Sequence, residues 1–208
     1  SAREFGARPW ARNEPGVTDN LIRTPGGVQR LRGVPFELSA GGVDRRTWLV
    51  LSRQGRRWTA EKTEVAVGRK ARFLCLAQFC DWEREEFAPE DAEAMEGIGE
   101  VLAEATLVYD DGSEASHPVR RRYEVNPPAA AWGRECFNAM QSNSWRAVKL
   151  DDGLARGTGW GMQQQEVLYH ALSRPAVWIW AMENPKPERV VKALRLEARS
   201  DGALAVCG

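Results

Sequence analysis

From residue 34 onward the chain alternates short apolar or period-two runs with clusters of Gly, Pro, Asp, Ser and Arg. The runs "VPFEL" (34 to 38), "TWLVLS" (47 to 52), "TEVAV" (63 to 67) and "KARFLCLAQF" (70 to 79) have the length and the β-branched or aromatic content of strands. Between Ala71 and Phe79 both parities are apolar, which predicts a strand covered on both faces. The clearest hairpin is "EVLAEATLVYDDGSEASHPVRRRYEV". Val101, Ala103, Ala105, Leu107 and Tyr109 fall on one face, Asp110-Asp111-Gly112 supplies the turn, and Ala115, His117, Val119, Tyr123 and Val125 return. Pro118 cannot donate to a ladder, and Arg120, Arg121 and Arg122 suit an exposed border, so the second strand is expected at a sheet edge. A phosphate-binding patch is the other reading of the three arginines, but neither interleaved aromatics nor a basic background supports it.

Three stretches depart from this rhythm. Residues 1 to 33 are rich in Gly, Pro, Arg and Asn and read as an irregular N-terminal arm, leaving 34 to 208 as a single domain. The acidic stretch 81 to 100 carries Pro89 ahead of Glu90, Asp91 and Glu93, the chemistry of a helix first turn, and predicts a short helical insertion. From 126 to 175 only "WRAVKL" (145 to 150) and "EVLYHAL" (166 to 172) look like strands, and long irregular connections are often functional. Strands resume over 176 to 182 and 189 to 197, separated by "ENPKPE", whose two prolines forbid a continuous strand. Many short strands, many breakers and little helix predict an all-β antiparallel β-sandwich, of jelly-roll type.

Composition narrows the function classes. Lys plus Arg and Asp plus Glu each number 29, so no long-range field draws the chain toward nucleic acid or anionic lipid. No stretch approaches the roughly 18 apolar residues that span a bilayer, and no signal-peptide segment opens the chain. Nucleic acid and membrane are therefore not the expected partners. The sequence begins without Met and stops while "ALAVC" still reads as a strand, as a piece of a longer protein would. Cys75, Cys80, Cys136 and Cys207 lack Cys-x-x-Cys spacing and sit among apolar neighbours, so they read as reduced thiols.

The runs "GVPFEL", "RKARFLCLAQF", "ATLVYDDGSE" and "VWIWAMENPKPERVVKALRLEA" resemble bacterial β-sandwich domains of the galactose-binding-like superfamily found in polysaccharide-degrading proteins. The likeness covers about residues 28 to 206 and rests on short structural motifs. It implies a jelly roll and an association with carbohydrate-active enzymes, and it carries over neither a ligand nor a catalytic residue. The segments 81 to 100 and 126 to 175 are longer than in a compact member of that group.

Candidate contacts follow from side-chain chemistry. Trp178 and Trp180 share one strand face, and Val177, Ile179 and Ala181 share the other. If the aliphatic face is internal, the two indoles form an outward platform for the C–H face of a sugar; otherwise they belong to the core. Trp160 sits between Gly159 and Gly161, followed by Gln163, Gln165, Glu166, Tyr169 and His170, groups that both donate and accept toward hydroxyl-rich ligands. His117 and His170, the two imidazoles, show no metal-ligand spacing. No cofactor is expected. Calcium held by Asp110-Asp111 or Asp151-Asp152 is a weaker alternative to ordinary Asp-Gly turns. No nucleophile elbow or zinc-protease motif occurs, and Glu166 with Glu183 is the conceivable glycosidase pair. The expected function is a non-catalytic carbohydrate-binding or accessory sandwich whose partner is a glycan or a neighbouring catalytic domain. A carboxylate-pair hydrolase and a purely structural packing module remain as alternatives.

Overall fold

The computed structural model describes residues 27–38, 48–55, 57–81, 97–128, 135–142 and 177–208. Eleven strands account for its regular structure: β1 (Gly27–Leu31), β2 (Val34–Leu38), β3 (Leu49–Leu51), β4 (Lys62–Lys70), β5 (Phe73–Cys80), β6 (Val101–Tyr109), β7 (Glu114–Arg120), β8 (Ala139–Gln141), β9 (Trp178–Glu183), β10 (Val190–Ala198) and β11 (Leu204–Val206). No helix occurs among the described residues. The expected helix lies largely outside them, and residues 97–99 at its end form a turn. The strands expected at 145 to 150 and 166 to 172 also lie outside the described residues.

The fold is an all-β sandwich. One sheet has the order β4-β10-β6-β7 and the other β3-β11-β5-β9-β8, with every pairing of named strands antiparallel. The chain passes repeatedly from layer to layer, so that β9 and β10, consecutive in sequence, belong to opposite sheets. The two-proline loop after Glu183 makes that crossing possible, because it releases the chain from one ladder before the next begins. A separate hairpin, β1-β2, turns at Arg32 (φ 52°) and Gly33 (φ 84°), two consecutive left-handed residues as a tight primed turn requires. Strand β1 thus occupies the end of the stretch read as an irregular arm. Its partner β2 lays Phe36 and Leu38 on the C-terminal tail, where a Cβ on Gly208 would come within 2.8 Å of Leu38 Cδ2.

Side-chain parity explains what holds the layers together. Residues directly opposed in an antiparallel pair point the same way, so Trp178 aligns with Gln78, Trp180 with Leu76 and Met182 with Leu74 in one row. In the facing sheet, Ala103, Ala105 and Leu107 align with Ala198, Leu196 and Leu194. Contact between Trp180 on β9 and His117 on β7, with ring centroids 6.4 Å apart, shows that these rows face each other. Strand β5 is buried on both parities from Leu76 to Cys80, whereas its first half, expected to be covered as well, leaves Phe73 46% exposed and Leu74 and Cys75 half-buried. Its second face is covered in part by Trp48, edge-on to Phe79 at 5.1 Å. The outer face of the four-stranded sheet is instead polar. Arg195 bridges Glu64 (3.4 Å) and Glu114 (2.9 Å), and Arg199 bridges Glu104 (3.3 Å) and Glu197 (2.8 Å).

Strand β7 is the border of its sheet, as Pro118 requires. The arginines after it do not all protect that border. Arg122 adopts a left-handed conformation (φ 69°), the chain turns sharply, and Arg121 points inward with 2% of its surface exposed. Its guanidinium donates to Asp81 Oδ1 (3.0 Å), the Asp81 carbonyl, Cys80 Sγ (3.3 Å) and Glu100 Oε2 (3.0 Å). Asp81 Oδ2 accepts the Ala203 amide at 2.9 Å. Burial pushes the Asp81 carboxyl above its ordinary range, and Arg121 and the Ala203 amide pull it back. Burial opposes the Arg121 charge, but Cys80, Asp81 and Glu100 around it hold it protonated.

This cluster ties the end of β5, the β6 entry and the β11 entry to the β7 border, and leaving one member unpaired would strand a buried charge. Arg121→Met is expected to lower unfolding free energy by about 3–5 kcal/mol in urea titrations. Adding Asp81→Asn should recover part of that loss; equal losses in the single and double variants would show that no charge had been stranded.

Candidate functional site

The two tryptophans of β9 do not form an outward platform. Trp178 is 0% and Trp180 6% exposed, and it is Ala181 and Glu183, on the opposite parity, that reach solvent. The correction follows from what lies across the sandwich: the inner row of the facing sheet is mainly small and aliphatic (Ala103, Ala105, Leu107), leaving depth for indoles. Trp178 also needs an acceptor inside, and its Nε1 donates to the Pro127 carbonyl at 2.9 Å. The remaining candidates, Trp160, Gln163, Gln165, Glu166, Tyr169 and His170, lie outside the described residues. On either side of them, the Ser142 amide donates to the Val177 carbonyl at 2.7 Å.

An exposed aromatic occurs elsewhere. Phe137, just before β8, is 64% exposed. Its main chain is fixed, since the Phe137 amide donates to the Arg122 carbonyl (3.0 Å) and the Asn138 amide to the Tyr123 carbonyl (2.8 Å). Its ring is braced by Tyr123, with centroids 5.1 Å apart, and by the Arg122 guanidinium at 5.8 Å. Arg120 in turn lies 4.3 Å over the Tyr123 ring while donating twice to Glu124, at 2.7 and 3.0 Å. Asn138 Nδ2 donates to the same carboxylate at 2.8 Å. The result is a ring held in place on the surface by a buried acid, Glu124, and a row of stacked cations and aromatics. Glu135 and Asn138 beside it are exposed and offer polar groups. No sequence pattern announced this: Phe137 lies in an irregular stretch, and its partners come from the β7 turn.

A second feature sits where the β4-β5 turn meets the β9-β10 loop. A cleft of about 550 Å³ is lined by Lys70, Ala71 and Arg72 on one side and by Glu183, Asn184, Pro185, Pro187 and Glu188 on the other. Asn184 forms its floor and is fully committed. Its amide donates to the Arg72 carbonyl (2.8 Å), its Nδ2 donates to the Ala71 carbonyl (2.7 Å), and its Oδ1 accepts Tyr109 Oη (2.6 Å) and the Lys186 amide (2.9 Å). Burial pushes the Tyr109 hydroxyl above its ordinary range, so it stays a donor. Beyond the cleft, Lys186 Nζ donates to Ser113 Oγ at 2.8 Å.

Asp81, the carboxyl that burial raises, is locked to Arg121 rather than aimed into a cleft. Of the conceivable hydrolase pair, Glu183 lies exposed on the cleft wall and Glu166 lies outside the described residues. Among the described residues no group of three or more His, Cys, Asp or Glu is placed to hold a metal ion. Asp111 is engaged as a turn residue: its Oδ1 accepts the Ser113 hydroxyl (2.6 Å) and amide (2.9 Å), and Arg189 lies 3.6 Å away. Asp151-Asp152 lies outside the described residues. Cys75, Cys80, Cys136 and Cys207 form no disulfide with one another, and burial pushes the thiols of Cys75, Cys136 and Cys207 up.

Comparison of the chain with protein-family models, with curated proteins and with solved structures finds no match in any of the three.

Two outcomes check these assignments. Trp178→Ala empties an interior site and removes the Pro127 bond, and is expected to cost about 3–5 kcal/mol in chemical denaturation; a loss below about 1 kcal/mol would return Trp178 to the surface. The Ser113 bonds hold the Asp111 carboxyl below its usual range, so its contribution is present above about pH 4 and is lost as the pH falls through the folded value. Asp111→Asn should therefore flatten the acid limb of a melting-temperature profile, and superimposable profiles would count against the turn bonds.

Proposed function

We propose that this chain is a non-catalytic accessory β-sandwich of a carbohydrate-processing protein, of jelly-roll type, and that it contacts glycan through Phe137. The repeated crossing between layers and the galactose-binding-like resemblance support the fold part of this reading. The observation that carries the functional part is the exposure of the Phe137 ring, 64%, on a main chain that hydrogen bonds fix in place. A large apolar ring kept in water is costly unless something covers it, and one that is already braced loses little freedom on binding. The C–H face of a pyranose suits such a ring. Asn138 and Glu135 beside it supply an acceptor and a carboxylate for hydroxyls. Met140, 59% exposed on the adjoining β8 strand, favours the second reading, in which this edge packs against a neighbouring catalytic domain.

Affinity electrophoresis against a panel of soluble polysaccharides tests the glycan reading. At least one polysaccharide is expected to retard the protein, and Phe137→Ala should weaken that retention about tenfold, a loss of about 1.4 kcal/mol, with the melting temperature nearly unchanged. No retention by any polysaccharide, or retention indifferent to Phe137, would rule out this site.

A further inference from the structure

The cleft between the β4-β5 turn and the β9-β10 loop has walls of opposite sign. Lys70 and Arg72 stand on one, Glu183 and Glu188 on the other. Several arginines elsewhere on this sandwich pair with carboxylates within 4 Å: Arg195, Arg199, Arg120 and Arg121. Among the described residues none of the four cleft charges has such a partner, and Arg72 makes only a 5.5 Å approach to the exposed Phe73 ring. The two walls are tied to each other at the main chain. Asn184 fastens the cation wall through the Ala71 and Arg72 carbonyls, while the end of β9 carries Glu183 and the loop after it Pro185, Pro187 and Glu188. The Tyr109 hydroxyl, from the end of β6, anchors Asn184 from below, and Pro185 and Pro187 stiffen the acid wall.

From this arrangement we infer that the cleft is a binding site for a small zwitterion that carries an ammonium and a carboxylate, of the amino-acid or short-peptide class. The ligand's carboxylate lies toward Lys70 and Arg72, where guanidinium recognition is directional, and its ammonium toward Glu183 and Glu188. An extended dipeptide places its ends roughly 7 Å apart, at about 3.5 Å per residue, so its two charges need not sit on the same wall. The volume of about 550 Å³ accommodates it. A purely anionic ligand would meet two uncompensated carboxylates, and a cation would meet Lys70 and Arg72. Because all four side chains are solvent-facing, binding is weak and its value is discrimination rather than affinity. This site is separate from Phe137 and does not depend on the glycan reading.

The test is saturation-transfer NMR on the whole chain with glycylglycine as the probe, alongside N-acetyl-glycylglycine and glycylglycine amide. The free dipeptide is expected to receive saturation, and each blocked form, lacking one charge, should bind about tenfold more weakly. Arg72→Glu and Glu188→Lys are surface changes that leave the Asn184 bonds intact, and each should abolish the signal while the melting temperature stays nearly unchanged. Signal from the N-acetyl form equal to that of the free dipeptide would identify a simple anion site and overturn the assignment. So would an absence of transfer to glycylglycine, or charge reversals without effect.

Discussion

A strand in a sandwich has only two faces, and a side chain committed to the interior of one layer cannot also serve the surface. That constraint governs the whole molecule. The inward row Leu74, Leu76 and Gln78 on β5 with Met182, Trp180 and Trp178 on β9 fills the space opposite Ala103, Ala105 and Leu107. Bulky residues on one layer meet small ones on the other, so the two sheets close on each other. Once the indoles are spent on this contact, they are withdrawn from the surface, and the most exposed aromatic among the described residues, Phe137, lies outside the ladders.

Apolar rows fix which faces meet but allow the layers to slide, and two buried polar anchors remove that freedom. At one end Asn184 joins the β4-β5 turn, the β9-β10 loop and Tyr109. At another, Arg121 joins Asp81 and Cys80 after β5, Glu100 before β6 and, through Asp81, Ala203 before β11. Directional bonds of this kind tolerate only one alignment, since a shifted partner leaves a desolvated donor or acceptor. Both anchors lie next to chain crossings between layers. Their role is therefore to set register where the ladders themselves end.

Much of this architecture was legible from period and punctuation. The bounds of β2, the β6-β7 hairpin with its Asp-Gly turn, and the border position of β7 all follow from alternation, Gly112 and Pro118. Three things were not legible, for different physical reasons. Trp178 and Trp180 share a face by parity, but which face is internal depends on β5 and β8, distant in sequence. Arg121 stands in a triplet whose composition suits an edge, and only the left-handed turn at Arg122 redirects it inward. Phe137 has no periodic neighbours at all; its brace is assembled from Tyr123 and Arg122 across the turn. In each case the deciding information lies in a tertiary neighbour rather than in the local run.

The two surface features have complementary physical characters. Phe137 offers an exposed ring, whereas the Asn184 cleft is lined by four exposed charges that make no ion pair among the described residues. Each owes its exposure to a rigid support just beneath it: Glu124 under the aromatic, Asn184 under the charges. Evolutionary change at the exposed groups would leave those supports, and therefore the fold, untouched. A sandwich built this way separates the residues that hold it together from its exposed ring and charges, so a ring can be replaced or a charge reversed without reopening the seam between the sheets.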